Sequence, residues 1–201
     1  MNPTAGYNKE SVDAGGIMKA RKTLIFLAGI VVALTVIFFI RQARRTGRGI
    51  EVSSVIQAPV EKVWAAFEDI ERYPEWDAPM RFDSLPSEAG QPLSYYFVDE
   101  TGKEGQHEEA VMVEYLPERS VRWRSQTLLG GLFDRERTLS FAPQADGSTL
   151  LVQREQFTGF LTPFAGSIVQ QAQRNFERFG QELKSYAEQG FQPATSTEDN
   201  L

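Results

Sequence analysis

The strongest constraint in this chain of 201 residues is a change of hydrophobic period near residue 160. Apolar and polar residues alternate from 80 to 158, as in β-strands. Over 163–188 the apolar residues recur every three or four positions, as on one face of an α-helix. This stripe consists of Phe164, Ile168, Ala172, Phe176, Phe179, Leu183 and Tyr186. A long amphipathic helix must bury such a stripe, and the preceding strands offer the only sheet surface for it.

Turn sequences divide the alternating region into six strands, and a seventh strand precedes them. The pair Asp146-Gly147 is the clearest hairpin signal, and short connections favour antiparallel pairing. After the first strand, Pro59 opens a short amphipathic helix containing Trp64 and Phe67, and a second short helix or tight connection follows. The predicted strands span 50–57, 80–85, 93–100, 107–116, 120–128, 133–143 and 149–160.

An uncharged apolar run occupies residues 24–40, with Lys and Arg on both sides. As a helix it would be roughly 25 Å long, close to the bilayer core of about 30 Å. It predicts a single-pass anchor, and a cleaved signal peptide fits less well because "RQARRTGRG" follows instead of a small-residue cleavage site. The predicted organisation is a disordered basic tail at 1–22, a transmembrane anchor at 23–41, a basic linker at 42–49, a globular domain at 50–188 and a disordered tail at 189–201.

Charge is distributed unevenly along the chain. Residues 1–50 contain eight Lys/Arg and two acidic residues, whereas 51–201 contain thirteen Lys/Arg and twenty-five acidic residues. An acidic domain repels phosphate backbones, which argues against a nucleic-acid partner. The basic cluster at 41–48 favours a cytoplasmic domain only slightly, since both flanks of the anchor are basic. The same cluster is suited to anionic lipid headgroups.

The chain contains no cysteine, and His107 is its single histidine. Disulfides, thiolate metal sites and histidine-cluster metal sites are therefore excluded, and a serine triad has little support. We expect neither a metal nor another cofactor. His107 stands beside turn residues and is expected to be solvated, as is the acidic stretch that begins with Glu108 and Glu109.

Three segments resemble one family of proteins. "VSSVIQAPVEKVWAAFEDIERYPEWDAPM" at 52–80, "LFDRERTLSF" at 132–141 and "EQFTGFLTPF" at 155–164 resemble the START/polyketide cyclase-dehydratase (SRPBCC) superfamily, in a bacterial, membrane-anchored form. The resemblance implies an α+β helix-grip fold, in which a seven-stranded antiparallel sheet wraps around a long C-terminal helix. It also implies a cavity for lipids, polyketides or other apolar ligands.

One departure from the family concerns acid/base chemistry. Members of the bacterial subgroup often have a histidine near the positions of Arg137 or Arg154, and both are arginine here. A histidine-based catalytic role therefore does not carry over to this chain.

Alternation along two neighbouring strands places Arg137 with Leu139 and Phe141, and Glu155 with Leu151 and Phe157. A pair of Arg137 and Glu155 at the cavity wall is one interpretation, and a solvent-exposed pair is the other, because a shift of one residue reverses the face. Trp76 can pack in the core or line the wall of the ligand cavity. The candidate pocket residues are Trp76, Tyr96, Val111, Val113, Trp123, Arg137, Phe141, Glu155, Phe157, Ile168, Phe176 and Phe179.

Three functional hypotheses follow. The first is a membrane-tethered protein that binds a lipid or another hydrophobic small molecule between the sheet and the C-terminal helix. The second is a scaffold or chaperone-like domain, which would have a filled core and an exposed apolar patch for a protein partner. The third is a cyclase/dehydratase-like enzyme, which needs at least two titratable groups that converge in the cavity. No catalytic motif is recognisable, so the first hypothesis is preferred.

Overall fold

The computed structural model describes residues 14–45, 48–126 and 130–189. Residues 1–13 of the predicted tail at 1–22 and residues 190–201 of the predicted tail at 189–201 lie outside the described residues, whereas 14–22 are helical. The chain divides into two compact units, Met1–Arg41 and Gln42–Leu201.

One helix, α1 (Ala14–Arg45), contains the apolar run. The window Arg21–Phe38 has a mean hydropathy of 2.0 and is not buried in the protein. Such a helix can span a membrane or be a signal sequence. Helix α1 extends beyond the predicted anchor on both sides, because the flanking Met, Lys, Ala, Arg and Gln residues are good helix formers.

The second unit contains one antiparallel sheet of seven strands in the order β1-β7-β6-β5-β4-β3-β2. Consecutive strands pair from β2 to β7, and β1 closes the order by pairing with β7. The predicted meander is therefore confirmed. The strands are β1 (Arg48–Ile56), β2 (Met80–Ser84), β3 (Pro92–Phe97), β4 (Glu108–Leu116), β5 (Ser120–Gln126), β6 (Asp134–Pro143) and β7 (Thr149–Thr158).

Helix α3 (Gly166–Gln189) lies on the concave face of the sheet, as the period change predicts. It runs in the same direction as β1: Gly166 at the start of α3 lies near Arg48 at the start of that strand, and Lys184 donates a hydrogen bond to the Val55 carbonyl near its end. Gly180 permits the closest approach: a Cβ there would lie 2.7 Å from Ser54 Oγ and 3.0 Å from Gln153 Nε2. The C-terminal half of α3 therefore packs tightly against β1 and β7.

The segment between β1 and β2 forms α2 (Val60–Glu68) and a 3₁₀-helix (Ile70–Trp76). Trp64 and Phe67 are buried and both contact the Phe141 ring, at centroid distances of 5.2 Å and 5.4 Å. Trp76 stacks on Tyr186 of α3. The aromatic residues of this segment therefore close one end of the space between the sheet and α3. A second 3₁₀-helix (Thr162–Phe164) leads into α3.

Candidate functional site

A buried ion pair lies on the concave face of the sheet. Arg137 and Glu155 are directly opposite each other in the β6–β7 register. Arg137 Nη2 donates to Glu155 Oε2 at 3.0 Å, and both residues are at most 3% exposed. The inward interpretation of these two residues is therefore the one that the structure shows.

Aromatic rings surround the Arg137 guanidinium. Its Cζ lies 4.3 Å from the ring centroid of Phe176, 5.2 Å from that of Phe97 and 5.8 Å from that of Trp123. Its Nη1 points at Met80 Sδ, a weak acceptor, at 2.7 Å. Cation–π contacts of this kind are strongest when water is excluded, so they compensate part of the desolvation of the charge.

Several polar atoms at this position have no hydrogen-bond partner among the described residues. They include Arg137 Nε, Glu155 Oε1 and the indole Nε1 of Trp123, which is opposite Arg137 on β5. A buried donor or acceptor without a partner costs about 1–3 kcal/mol, and more when it is charged. The site thus presents a donor and an acceptor that the fold itself does not use.

A second ion pair adjoins the first. Arg135, two residues before Arg137, binds Glu108 through both terminal nitrogens. Tyr95 donates to Glu108 Oε2 at 2.9 Å. Burial raises the pKa of Tyr95 to about 12, with opposing contributions from the nearby charges of Arg137 and Glu108. We call these five residues, Tyr95, Glu108, Arg135, Arg137 and Glu155, the polar belt.

The polar belt separates two apolar clusters. The larger one contains the α2 aromatics, Leu139, Phe141 and the C-terminal half of α3. The smaller one consists of Phe133, Phe157, Ala165 and Ala172, with Ile50 and Val169 against it. The core therefore has an internal polar layer, which is unusual because buried charges are rarely kept for stability alone.

A cleft of about 580 Å³ opens between α3 and the β3–β4 connection. Phe97 lines this cleft and also contacts the Arg137 guanidinium, so one ring separates the cleft from the polar belt. The other lining residues are Val98, Asp99, Glu100, Thr101, Lys103, Glu104, Gly105, Gln171, Arg174, Asn175 and Arg178. The volume is within the range of small-molecule sites.

The structure places most of the predicted pocket residues inside. Phe176 and Trp123 contact Arg137 directly, whereas Trp76 packs against Tyr73 and Phe179 as a core residue. The predicted residues that are buried on the inner side are Trp76, Trp123, Arg137, Phe141, Glu155, Phe157, Phe176 and Phe179. Whether they bind a ligand stays a prediction.

Tyr96, Val111 and Val113 were predicted to face the pocket, and these three predictions were wrong. Tyr95 points inward and Tyr96 stacks on the exposed His107, since neighbouring residues of a strand face opposite sides. Val111 and Val113 line a groove on the outer face with Arg124, while Ala110 and Met112 are buried. The alternating pattern of this stretch was clear, but the assignment of its face was reversed.

Ile168 is also not a pocket residue, because it is 45% exposed. The buried stripe of α3 begins with Ala165, Val169 and Ala172, which pack around Phe157 and Phe133. Ile168 lies about 100° away from Val169 around the helix and so leaves that face.

Sequence reasoning missed Glu108 and Arg135 as functional candidates. Glu108 was expected to face water, yet it shares its face with Ala110 and Met112 and pairs with Arg135. The signal was present in the alternation of β4, whose inward members include Glu108. His107 is exposed, as expected, and its Nδ1 lies 2.9 Å from Asp83 Oδ2. Among the described residues, no three His, Cys, Asp or Glu side chains are grouped so as to hold a metal ion.

Comparison with known proteins identifies the family. Residues 48–188 match the family described as "Polyketide cyclase / dehydrase and lipid transport", and the chain belongs to it. No curated protein matches the chain significantly.

Solved structures share the fold at low sequence identity. The ZhuI aromatase/cyclase from Streptomyces sp. R1128 is 16% identical, with a TM-score of 0.54 over 71% of this chain and 94% of that one. A protein from Chromobacterium violaceum is 20% identical, with a TM-score of 0.53 over 70% and 96%. One from Arthrobacter aurescens is 12% identical, with a TM-score of 0.57 over 80% and 95%. The family fold supports a hydrophobic-ligand-binding or cyclase-like role.

Proposed function

We propose that this chain is a membrane-tethered protein that binds an apolar small molecule with a neutral polar head. The observation that carries the proposal is the polar belt, which lies in an aromatic shell beside the 580 Å³ cleft. Helix α1 provides the tether, and the space between the sheet and α3 provides the binding site.

The chemistry of the polar belt specifies the head of the ligand. Arg137 and Glu155 neutralise each other, as do Arg135 and Glu108. A charged head would face one attractive and one repulsive partner in each pair. A hydroxyl or carbonyl oxygen can instead accept from Arg137 Nε, and a hydroxyl can donate to Glu155 Oε1; these two atoms have no partner in the described part of the chain.

The surroundings specify the rest of the ligand. Phe97 lines the cleft and contacts the Arg137 guanidinium, and Phe176 covers the guanidinium, so a molecule that passes the charged residues of the cleft meets aromatic rings beside the polar belt. An apolar body of lipid or polyketide type gains the burial energy of such a site. Because the tether would hold the cleft near a bilayer, a membrane-dissolved molecule is the natural source.

Native mass spectrometry of the full chain, released from detergent after incubation with a membrane lipid extract, tests this function. We expect a discrete bound mass, recovered chemically unchanged by solvent extraction. Asn175→Trp would fill the cleft and should abolish the bound mass, whereas Gln173→Trp, on the exposed side of the same helix, should retain it. A wild-type chain that stays free of ligand would contradict the proposal.

A cyclase-like reaction is the second candidate. Tyr95 supports it, because its hydroxyl is hydrogen-bonded to Glu108 and lies in the field of Arg137 and Glu155. Two or more titratable groups therefore converge, which proton transfer requires. The same experiment distinguishes the candidates, since an enzyme would return a molecule of altered mass or altered hydrogen-isotope content.

A further inference from the structure

Four large apolar side chains are exposed together between β7 and the second turn of α3. Phe160 is 42% exposed, Leu161 44%, Phe164 79% and Ile168 45%. We call them the apolar apron. The other exposed large apolar residues described in the globular unit, Val55, Val111 and Leu116, lie on strands β1 and β4. Clustered exposure of this kind marks an interaction surface.

The apolar apron is held in place by backbone hydrogen bonds. Phe160 N donates to the Gly131 carbonyl at 3.1 Å, and Leu161 N donates to the Leu132 carbonyl at 2.9 Å. Gly159 has φ +117°, and a Cβ there would lie 2.5 Å from Leu132 O, so only glycine permits this approach. The exposure is therefore built into the fold.

The apolar apron lies beside the start of β1, the strand that follows α1 in the chain. A Cβ on Gly166, which lies between Phe164 and Ile168 in the sequence, would be 3.8 Å from Arg48 Nη1. Arg48 follows the last residue of α1, Arg45, by three positions. Three residues reach at most about 11 Å. The chain segment that joins α1 to the start of β1 is therefore short.

Charge at this end differs from the rest of the domain. Residues 51–201 contain twenty-five acidic residues, yet 156–176 contain none. At the start of β1, Arg48 is basic, as are Arg41, Arg44 and Arg45 before it in the sequence, whereas Asp134, which accepts a hydrogen bond from Gly131 N, is acidic. Exposed apolar side chains beside a basic residue are suited to the headgroup region of a membrane.

We propose that the apolar apron inserts into the lipid headgroup region of the bilayer that α1 spans. The proposal rests on the tether of the proposed function. Phe164 provides the deepest contact, and Arg48 binds lipid phosphate. Gln171, the first α3 residue of the cleft, follows Ile168 by three positions. Docking therefore places the cleft beside the membrane surface, where an apolar ligand can pass directly from lipid into protein.

Site-directed spin labelling of the full chain in nanodiscs of phosphatidylcholine and phosphatidylglycerol tests this proposal. The chain has no cysteine, so each introduced one is labelled alone. The test variant is Phe164→Cys. The matched control is Leu116→Cys, which is 44% exposed and lies at the opposite end of the sheet. Val31→Cys, in the apolar part of α1, reports on the tether itself.

Collision accessibilities to oxygen, which concentrates in lipid, and to a water-soluble nickel chelate separate the outcomes. We expect lipid-like values, high for oxygen and low for nickel, at residues 164 and 31, and water-like values at 116. Water-like values at 164 with lipid-like values at 31 overturn the docking but leave the tether intact. Low accessibility to both reagents at 164 indicates a protein contact and also overturns it. Water-like values at 31 contradict the tether, and the docking proposal with it.

Discussion

The two halves of α3 pack against the same sheet in different ways. Around Gly180 the helix contacts Ser54 and Gln153 closely, and Phe179 and Leu183 enter the larger apolar cluster. One turn earlier, Phe176 covers an arginine, and the residues beside it line a cleft. A single stripe of the sequence thus serves stability at one end of the helix and, in the function that we propose, binding at the other. The following predictions address that difference, from the largest expected effect to the smallest.

Removing one partner of the buried ion pair should have the largest effect. Arg137→Ala leaves the Glu155 carboxylate buried without its charge partner, and we expect the free energy of unfolding to fall by about 3–5 kcal/mol. Urea unfolding of the full chain in detergent, followed by tryptophan fluorescence, measures this loss. A change of the size seen for surface residues would mean that water reaches the pair.

Filling the tight end of α3 should have the next largest effect. Gly180→Ala places a methyl group 2.7 Å from Ser54 Oγ, and overpacking of this kind costs about 1–3 kcal/mol. Gly166→Ala is the matched control on the same helix, since its methyl group would meet only the Arg48 side chain at 3.8 Å. Equal unfolding free energies for the two variants would contradict the tight contact.

Tyr95, the phenol of the polar belt, should make the free energy of unfolding depend on pH in the alkaline range. The pKa of Tyr95 is raised to about 12 in the folded protein, chiefly by burial, from an ordinary value near 10. Its contribution to stability is therefore complete below about pH 10 and is lost as the pH rises toward 12. In Tyr95→Phe this part of the alkaline loss should be absent when unfolding is measured across that interval. An unchanged alkaline profile would show that Tyr95 does not titrate differently on unfolding.

The smallest effect is expected on the outer face of β7, the strand whose inner face carries Glu155. Arg154 pairs with Glu51, but both side chains are more than half exposed. Exposed pairs contribute about 0–1 kcal/mol. Arg154→Ala should therefore change the free energy of unfolding far less than Arg137→Ala, in parallel urea experiments. A comparable loss would remove the contrast between the two faces.

Local patterns were sufficient to predict the fold. The spacing of apolar residues changes from every second position to every three or four positions. Together with the turns between strands, this change predicted a sheet covered by one long helix. The short connections between strands predicted an antiparallel meander, and the resemblance of three segments implied the helix-grip fold; the structure and the family match confirm both.

The inner face of a strand could be predicted only where large apolar residues alternate on one face and polar residues on the other. Leu139 and Phe141 on β6, with Leu151 and Phe157 on β7, made an inward pair of Arg137 and Glu155 one of two interpretations, and only the structure decides between them. In β4, Val111 and Val113 looked as suitable for burial as Ala110 and Met112, so the face was undetermined. The pair between Glu108 and Arg135 joins residues 27 positions apart. Its formation depends on strand register, which alternation alone does not determine.

The central claim is that the polar belt binds the head of a ligand. Replacing both charged residues of its buried ion pair by apolar residues tests this claim most directly. The double variant Arg137→Met/Glu155→Leu replaces the pair by apolar residues of similar size, a change that often leaves the fold as stable or more stable. The control is Arg154→Met/Glu51→Leu, the same exchange in the exposed pair. Native mass spectrometry of the full chain should show the bound molecule lost from the first variant and retained by the second. Equal retention by both, with the fold intact, would contradict the account.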